Sequence, residues 1–413
     1  MSQAHTALAK DAVAAQRSLF VIDRRTHLGS DRLPVPERYL LRPEAAKPGH
    51  VVQVLFDGAE TYGAMLEAIR TAHREILLET YIWSDDTTGH LFIEAVVDRA
   101  RAGVHVRVII DGFGSRGLSG ATRRRLIDGG VQLAVFHPVR PWRRRWAWSV
   151  RDHRKVLVVD GAVGFAGGLN IGDDYAPPEW GGGGWHDCHV RVRGPAVDDL
   201  RAHFFEAWRH ARGYRASSSQ AARRSASGAA GADCVVVLGI GPLRHRRSIR
   251  RHYHYAIRQA CRRVRIMAGY FIPDRGWRRL LRDAVRRGVD VAIMFPHSSD
   301  VDAVQWASRA TYAALLRAGV RVLEWKPSVL HAKALSVDGA WSAVGSYNLD
   351  RRSLFLNWET SVLVCGAATA LAIEARFEAD AGQCVAIESA AWARRGLWYR
   401  ILEAFYYAWR RWL

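Results

Sequence analysis

The strongest constraint on this chain is a polar motif that occurs twice along it. The first copy runs from His153 to Asn170 and the second from His331 to Asn348. Both read His-x-Lys, four residues, Asp, six residues and Gly-[Gly/Ser]-x-Asn, and every position of the second copy lies 178 residues after its partner. A constant offset of this kind indicates an internal duplication. The chain is therefore expected to contain two similar lobes.

The hydrophobic pattern around the motifs is duplicated as well. Short runs rich in Val, Ile and Leu alternate with amphipathic segments from Val51–Phe56 to Val131–Phe136, and the same order returns from Cys234–Leu238 to Val320–Trp325. Such alternation predicts strands separated by covering helices. The expected fold is α/β, with two lobes that each hold a mostly parallel or mixed sheet flanked by helices. The lobes are expected to pack with pseudo-twofold symmetry around one active site.

Composition and periodicity also suggest boundaries. Two segments lack a regular pattern: a proline-containing start and a small, polar stretch that is typical of a linker. The predicted order is an N-terminal arm (1–47), a first lobe (48–212), a linker (213–232), a second lobe (233–385) and a basic aromatic C-terminal helix (386–413). That last helix is expected either to lie on a membrane surface or to pack against the lobes.

One insertion distinguishes the two halves. Gly130 and Pro138 match Gly319 and Pro327 at an offset of 189, which exceeds the motif offset by 11 and places extra residues within 139–150. We interpret this stretch as a docking loop for anionic headgroups, with Arg on phosphate and Trp in the interface. The alternative is a solvated basic loop whose Trp residues pack locally. The residues concerned are Trp142, Arg143, Arg144, Arg145, Trp146 and Trp148.

Charge and composition narrow the partners. A net charge of +20 and a pI near 10.4 predict attraction to nucleic acid or to an anionic bilayer surface, and sixteen Trp favour the bilayer interface. Five scattered Cys without metal-ligand spacing favour a reducing compartment. The start of the chain lacks an apolar secretory signal, and the uncharged run Thr360–Ile373 is too short to cross a bilayer. Membrane association is thus expected to be peripheral.

The motif carries its own chemistry. On a strand, residues two apart point to the same face, so each copy aims an imidazole and an ammonium at one point. Two copies brought together would surround a single phosphate. One imidazole would attack phosphorus and the other would exchange protons with the departing and incoming alcohols. Lys155, Lys333, Asn170 and Asn348 would offset charge on the phosphate oxygens, so neither a metal nor another cofactor is expected.

The paired motif resembles the twin HKD motif of the phospholipase D superfamily. Flanking residues such as Tyr175 and Trp185-His186-Asp187 look like the bacterial cardiolipin synthase branch, over roughly Val51 to Val385. By this resemblance His153 is the nucleophile and His331 the general acid and base, although the near symmetry of the sequence also supports the reverse.

The resemblance assigns further residues. Asp160 and Asp338 belong to its catalytic set, although their positions after the strands suggest that they fix turns. Asp187 and Glu359 resemble carboxylates that orient the imidazoles. Ser346 is expected to support phosphate binding, and Gly168 at the equivalent place removes one hydroxyl from the first half-site.

The implied activity is that of a phosphatidyltransferase. It would move a phosphatidyl group from phosphatidylglycerol, or another phospholipid, through a phosphohistidine to the hydroxyl of phosphatidylglycerol. The implied place is the cytoplasmic side of the bacterial inner membrane, and no oligomer is required because one chain carries both motifs. The alternatives are a phospholipase D that admits water, a nuclease of the same superfamily, and a basic scaffold without activity. Nucleic acid is disfavoured because the aromatic residues cluster with Arg.

Overall fold

A computed structural model of the chain describes residues 35–139, 149–213, 231–241 and 247–410. Most of the predicted linker and most of the predicted N-terminal arm lie outside these ranges. The predicted docking loop does too, including Trp142, Arg143, Arg144, Arg145, Trp146 and Trp148. The proposed domain boundaries stay predictions.

The elements of the first half follow the alternation expected from its sequence. In the described residues they are β1 (Lys47–Phe56), α1 (Asp57–Arg70), β2 (Glu75–Thr80), α2 (Thr87–Arg101), β3 (His105–Asp111), α3 (Gly120–Asp128), β4 (Gln132–Phe136), β5 (Val156–Val159), β6 (Val163–Gly167), β7 (Cys188–Arg193) and α4 (Val197–Ala211).

The second half repeats this order and then extends it. Its elements, in the described residues, are β8 (Asp233–Ile240), α5 (Ser248–Gln259), β9 (Arg263–Ala268), α6 (Arg275–Arg286), β10 (Asp290–Pro296), α7 (Asp302–Arg309), α8 (Tyr312–Arg317), β11 (Arg321–Trp325), β12 (Lys333–Val337), β13 (Trp341–Gly345), α9 (Arg351–Phe355), β14 (Glu359–Cys365), α10 (Ala367–Ala381), β15 (Cys384–Ala386), α11 (Ser389–Ala393) and α12 (Leu397–Ala408).

One helix expected from the sequence is two helices in the structure. The pattern predicts a single helix over Ala307–Ala318, whereas α7 ends at Arg309 and α8 begins at Tyr312. Between them Thr311 is buried, and its hydroxyl donates to the carbonyl of Ser308 at 2.7 Å. A side-chain bond of this kind competes with the helical backbone pattern, which explains the break.

The two halves have the same strand order and join edge to edge. The first reads β1-β7-β6-β5-β2-β3-β4 and the second β8-β14-β13-β12-β9-β10-β11, with β15 added beyond β11. Strands β2, β3 and β4 are mutually parallel, as are β9, β10 and β11, while β5, β6 and β7 run antiparallel to their neighbours. Strands β1 and β8 pair antiparallel and make one continuous sheet. The expected α/β fold with mixed sheets in two similar lobes is confirmed.

The halves also share a buried core. One hydrophobic cluster contains Val158 and Val190 from the first half together with Val344 and Val362 from the second. The segment before β1 crosses between the halves as well, because Tyr39 is buried in the second-half core and its hydroxyl donates to Asp338 at 2.6 Å. Packing of this extent fixes the two motifs relative to each other.

Helix α12 packs with one face and exposes the other. Tyr406 and Tyr407 pack against a small cluster that includes Val304 of α7, and Tyr399 stacks on Trp306 at 6.0 Å. The opposite face exposes Leu397, Trp398, Ile401, Phe405 and Trp409. The packing alternative for this helix therefore holds for one face, and its attachment to a membrane stays a prediction. No helix in the described parts of the chain is long and apolar enough to span a membrane.

Candidate active site

Both motif copies open a central, fully buried strand. β5 lies between β2 and β6, and β12 lies between β9 and β13. The four residues of β5 are all Val or Leu, and Ala334, Leu335 and Val337 form most of β12, which suits strands that are covered on both faces. His153 and His331 precede these strands by three and two residues and are almost fully buried. The sheet thus brings the same end of both strands to one place.

A cavity of about 720 Å³ lies at that place and is lined by residues of both copies of the motif. Its lining includes His153, His331, Asn170 and Asn348. The two lysines lie directly behind it, since Nζ of Lys155 donates to the carbonyl of His153 at 2.7 Å and Lys333 donates to the carbonyl of His331. The structure therefore brings together the six His, Lys and Asn side chains that the sequence singles out.

Each imidazole is paired with a carboxylate from the opposite half. Nδ1 of His153 lies 3.2 Å from Oε2 of Glu359, and Nδ1 of His331 lies 2.6 Å from Oδ2 of Asp187. The sequence predicts these carboxylates as orienting groups. The structure adds that each one contacts the imidazole of the other half. One carboxylate fixes the tautomer and orientation of each ring.

Short backbone bridges hold this exchange in place. The amide of His153 donates to the carbonyl of Trp358 at 3.0 Å, and the amide of Trp358 donates to the carbonyl of Arg151 at 2.8 Å. In the other half-site, the amide of His331 donates to the carbonyl of His186 at 2.8 Å. Trp358 precedes Glu359 and His186 precedes Asp187 in the sequence. Each of these two residues is therefore hydrogen-bonded to the backbone beside the imidazole that the following carboxylate orients.

The two carboxylates differ in their support. Glu359 accepts hydrogen bonds from Ser346, from Ser353 at 2.7 Å and from Asn357 at 3.3 Å. Burial disfavours its charge, but His153, nearby Lys155 and the Ser346 hydroxyl outweigh burial and lower the pKa of Glu359. Burial raises the pKa of Asp187 to about 6, with Lys333 opposing the rise.

Ser346 and Gly168 show how this difference is built. The Ser346 hydroxyl donates a hydrogen bond to Glu359, so it stabilises the carboxylate that orients His153. At Gly168 a Cβ would lie 2.1 Å from Oδ1 of Asp187. Position 168 therefore requires glycine, because the carboxylate of Asp187 packs directly on its backbone. This corrects the expectation that the missing hydroxyl is lost from contacts with phosphate.

Asp160 and Asp338 lie at the other end of their strands. Asp160 accepts backbone N–H bonds from His73, Arg74 and Glu75, and Asp338 accepts them from Cys261, Arg262 and Arg263. Both have positive φ, 54° and 57°. They fix the turns that lead into β2 and β9, as their sequence positions suggest. Neither lines the cavity, which corrects their grouping with the catalytic residues.

The buried basic groups perturb one another. Burial, followed by Lys155, lowers the pKa of His153 to about 4, and burial, followed by Lys333, lowers the pKa of Lys155 to about 7. Burial lowers the pKa of Lys333 to about 8, and the pKa of His331 falls well below its usual value for the same reason. An anionic phosphate between these groups would stabilise their charged forms. The site is therefore electrostatically suited to a phosphodiester.

Two tyrosines at the site were missed in the sequence. Nζ of Lys155 lies 5.2 Å from the ring centre of Tyr81, and Nζ of Lys333 lies 5.9 Å from that of Tyr270. The same rings contact His153 and His331 edge-on. Tyr81 and Tyr270 are separated by 189 residues, the offset that already relates other pairs in the two halves, so the repeat alignment could have found them.

Within the described ranges, no group of three or more His, Cys, Asp or Glu side chains is arranged to hold a metal ion.

A duplicated mixed sheet that presents one His, Lys and Asn set from each repeat to a shared cavity defines a phospholipase D-like enzyme. The chain belongs to the family described as "Cardiolipin synthase, PLD-like domain", whose model matches residues 65–204 and 253–381.

Relatives with high coverage agree with this membership. A cardiolipin synthase of Alkalihalophilus pseudofirmus is 33% identical over 352 residues, which cover 85% of this chain and 70% of the relative. Cardiolipin synthase A of Pseudomonas entomophila is 36% identical over 332 residues, which cover 80% and 68%. The crystal structure of phosphatidylserine synthase from Haemophilus influenzae has the same fold, with a TM-score of 0.65 at 14% identity over 87% of this chain and 93% of that one.

Proposed function

We propose that this protein is a cardiolipin synthase that transfers a phosphatidyl group from one phosphatidylglycerol to the hydroxyl of another and releases glycerol. The observation that carries the proposal is the shared cavity with two imidazoles, each held by a buried carboxylate of the opposite half. The names of the relatives supply the substrate class.

In the first step His153 is the nucleophile. Glu359, whose lowered pKa keeps it ionised, accepts a hydrogen bond from Nδ1–H, so the Nε2 lone pair is available to attack phosphorus. A P–N bond forms and the P–O bond to the glycerol headgroup breaks. His331 protonates the departing alkoxide, which leaves as glycerol.

In the second step His331 acts as the base. It removes a proton from the hydroxyl of a second phosphatidylglycerol, whose oxygen attacks phosphorus. The P–N bond breaks, and His153 returns to its neutral form. Two molecules of phosphatidylglycerol have then given one cardiolipin and one glycerol, and no proton is gained or lost. Asp187 steadies the charged form of His331 in both steps.

The lysines and asparagines stabilise the phosphate oxygens. Lys155 and Lys333 neutralise the negative charge that grows as the phosphorus becomes five-coordinate, and each follows its histidine by two residues and contacts it. Asn170 and Asn348 line the cavity and offer amide hydrogens from the turns after β6 and β13. Side chains that are already fixed by packing cost little reorganisation in the transition state.

We further propose that the protein works as a peripheral protein on the cytoplasmic face of the inner membrane. The exposed apolar face of α12 belongs to a helix that packs on α7, and Val301 and Val304 beside α7 line the catalytic cavity. Burial of this face in the interface would bring the cavity mouth to the lipid headgroups. The net charge of +20 would favour an anionic bilayer.

Mass spectrometry of lipids after incubation with phosphatidylglycerol vesicles tests the activity. Cardiolipin and free glycerol in equal amounts are expected, and both should disappear in His153→Ala and His331→Ala proteins. Phosphatidic acid as the sole product would instead indicate a phospholipase D. Unchanged lipid, with cleavage of added DNA or RNA, would favour a nuclease.

Trapping the covalent intermediate tests the assignment of roles. Wild-type protein quenched in alkali during turnover should carry the phosphatidyl group on the peptide that contains His153, because phosphohistidine is stable in base. The group on the His331 peptide would reverse the assignment of nucleophile and acid, while the transferase itself would stand.

A further inference from the structure

A second cavity, of about 610 Å³, lies outside the catalytic cavity and is rich in arginine. We call it the arginine cavity. The guanidinium-bearing residues in its lining are Arg247, Arg250, Arg251 and Arg258, at the start of or along α5, and Arg351 of α9. The mechanism proposed above uses none of them.

The packing of α5 places three of these arginines along one side of the helix, which we call the arginine stripe. Arg247, Arg251 and Arg258 follow helical spacing along one side, while Ile249 and Tyr253 on the other side are buried in the second-half core. The stripe is therefore a consequence of a helix that is held by its apolar face.

The cavity carries an excess of positive charge. Asp274 is the acidic residue among the described lining residues, and its two oxygens accept bonds from Arg250 at 2.6 and 2.9 Å. Four further arginines share the lining with it. Their charge also acts on His254 in the same wall, where burial, followed by Arg250, lowers the pKa to about 4. A concave surface with this balance favours an anion.

Helix α9 separates the arginine cavity from the catalytic cavity. Arg351 lines the first, and the next residue, Arg352, lines the second together with Asp350. This helix begins three residues after Asn348 of the second motif. A ligand in the arginine cavity would therefore lie on the far side of one short helix from the reacting phosphate.

We propose that the arginine cavity binds the phosphate headgroup of a second anionic phospholipid. Guanidinium groups bind phosphate oxygens in pairs, and several together suit a phosphodiester better than a single ammonium. Leu41, Leu354 and Phe355 add an apolar part to the lining, against which the glycerol and first methylenes can pack. The inference rests on the proposed function for the choice of a lipid as the source of the phosphate.

The test counts bound lipids in a protein that cannot turn over. His153→Ala protein is titrated with monomeric, short-chain phosphatidylglycerol by calorimetry, and two molecules per chain are expected. Adding Arg247→Glu, Arg251→Glu and Arg258→Glu should leave one molecule and weaken the second by at least about tenfold. Two molecules with unchanged affinities in this variant would overturn the proposal.

A matched variant controls for net charge. Arg124→Glu, Arg279→Glu and Arg286→Glu reverse three exposed arginines of α3 and α6 that do not line the arginine cavity. Two bound lipids are expected in this control. Loss of the second lipid there as well would show that total charge, not the cavity, holds it, and would overturn the proposal.

Titration with inorganic phosphate and with glycerol 3-phosphate separates the possible sources. Weaker binding of both than of the short-chain lipid, and loss of the difference in the α5 variant, supports a lipid site. Equal binding would assign the cavity to a free phosphate compound and reject the lipid. Failure of the wild-type protein to make cardiolipin would count against the proposed function alone, because the lipid count does not depend on turnover.

Discussion

At the scale of single residues, the active site is asymmetric although its motif is duplicated. Glu359 receives three side-chain donors besides His153, whereas Asp187 receives a backbone N–H from Cys188 at 2.7 Å besides His331. Ser346 and Gly168, at equivalent positions, account for part of this difference. A firmly ionised Glu359 suits an imidazole that must stay neutral at Nε2, which favours His153 as the nucleophile.

Removing the Ser346 hydroxyl should therefore slow chemistry more than it weakens binding. We expect Ser346→Ala to lower kcat by about tenfold with little change in KM, because one charge-assisted hydrogen bond to Glu359 is lost. Ser342→Ala is the matched control, since that buried serine of β13, four residues before Ser346, has no hydrogen-bond partner for its hydroxyl. Steady-state kinetics with phosphatidylglycerol as substrate give kcat and KM for the two variants. Equal kcat values for both would contradict the positioning role of Ser346.

The pKa shifts predict a narrow pH range for the free enzyme. Asp187, with a pKa of about 6, must be ionised to orient His331, so kcat/KM should fall below that pH. Lys155, with a pKa lowered to about 7, must be charged to bind phosphate, so kcat/KM should also fall above it.

We therefore expect the part of the kcat/KM profile that these two groups set to have its maximum between about pH 6 and 7, while His331, whose pKa is lowered by burial, gains its proton with the anionic substrate. In Lys155→Arg the alkaline fall should move to higher pH, because a guanidinium stays protonated. Its remaining alkaline limb should then reflect Lys333, whose pKa is about 8. A wild-type profile that stays flat to pH 9 would refute this use of the lysines.

At the scale of elements, α12 divides its residues between packing and exposure. Its tyrosines pack on α7, and buried Glu403 receives two bonds from Arg395, so the helix is held independently of any bilayer. The exposed face is apolar and aromatic, with Trp398 65% and Phe405 55% exposed. An exposed apolar face of this kind on a helix is typical of an interaction site.

Polar substitutions on that face should reduce membrane binding without unfolding the protein. We expect Trp398→Ser with Phe405→Ser to weaken binding to anionic vesicles by about tenfold or more, because two aromatic side chains leave the interface. Vesicle sedimentation measures this, and thermal unfolding should be unchanged. Ile127→Ser with Trp180→Ser, at exposed positions in the first half, is the control pair. Equal binding by both double variants would exclude α12 as the attachment surface.

At the scale of the whole molecule, the halves are joined by a sheet, a shared core and a buried ion cluster. His186 of the first half lies 2.5 Å from Asp57 and 2.8 Å from Asp380 of α10, and Arg376 bonds to both carboxylates. Burial disfavours the imidazolium, but Asp380 and Asp57 outweigh burial and raise the pKa of His186 to about 9. Protonation of this one side chain therefore strengthens the contact between halves.

The raised pKa predicts how stability depends on pH. The stabilising contribution is complete below the usual histidine pKa of about 6.5 and is lost as the pH rises through about 9. The free energy of unfolding should fall by on the order of 3 kcal/mol across this range. Denaturant unfolding of wild-type and His186→Gln proteins measures it, and the variant should lack this part of the slope. A variant with the wild-type slope would place the titrating group elsewhere.

Much of this protein can be deduced from local patterns in its sequence. The constant offset between His153 and His331 indicates duplication, and the two-residue periodicity of a strand puts each lysine on the face of its histidine. The positions of Asp160 and Asp338 after the strands already suggest turns, which the structure bears out. These features are local, because strand geometry and turn chemistry depend on neighbouring residues.

The pairing of groups across the halves depends on the tertiary structure. His153 is oriented by Glu359, 206 residues away, and His331 by Asp187 across 144 residues. No local periodicity specifies such a contact, because it follows from the antiparallel pairing of β1 with β8 and from the core that both halves share. The arginine cavity beside α9 has a similar origin, since residues of α5, α6 and α9 that are far apart in the sequence meet there.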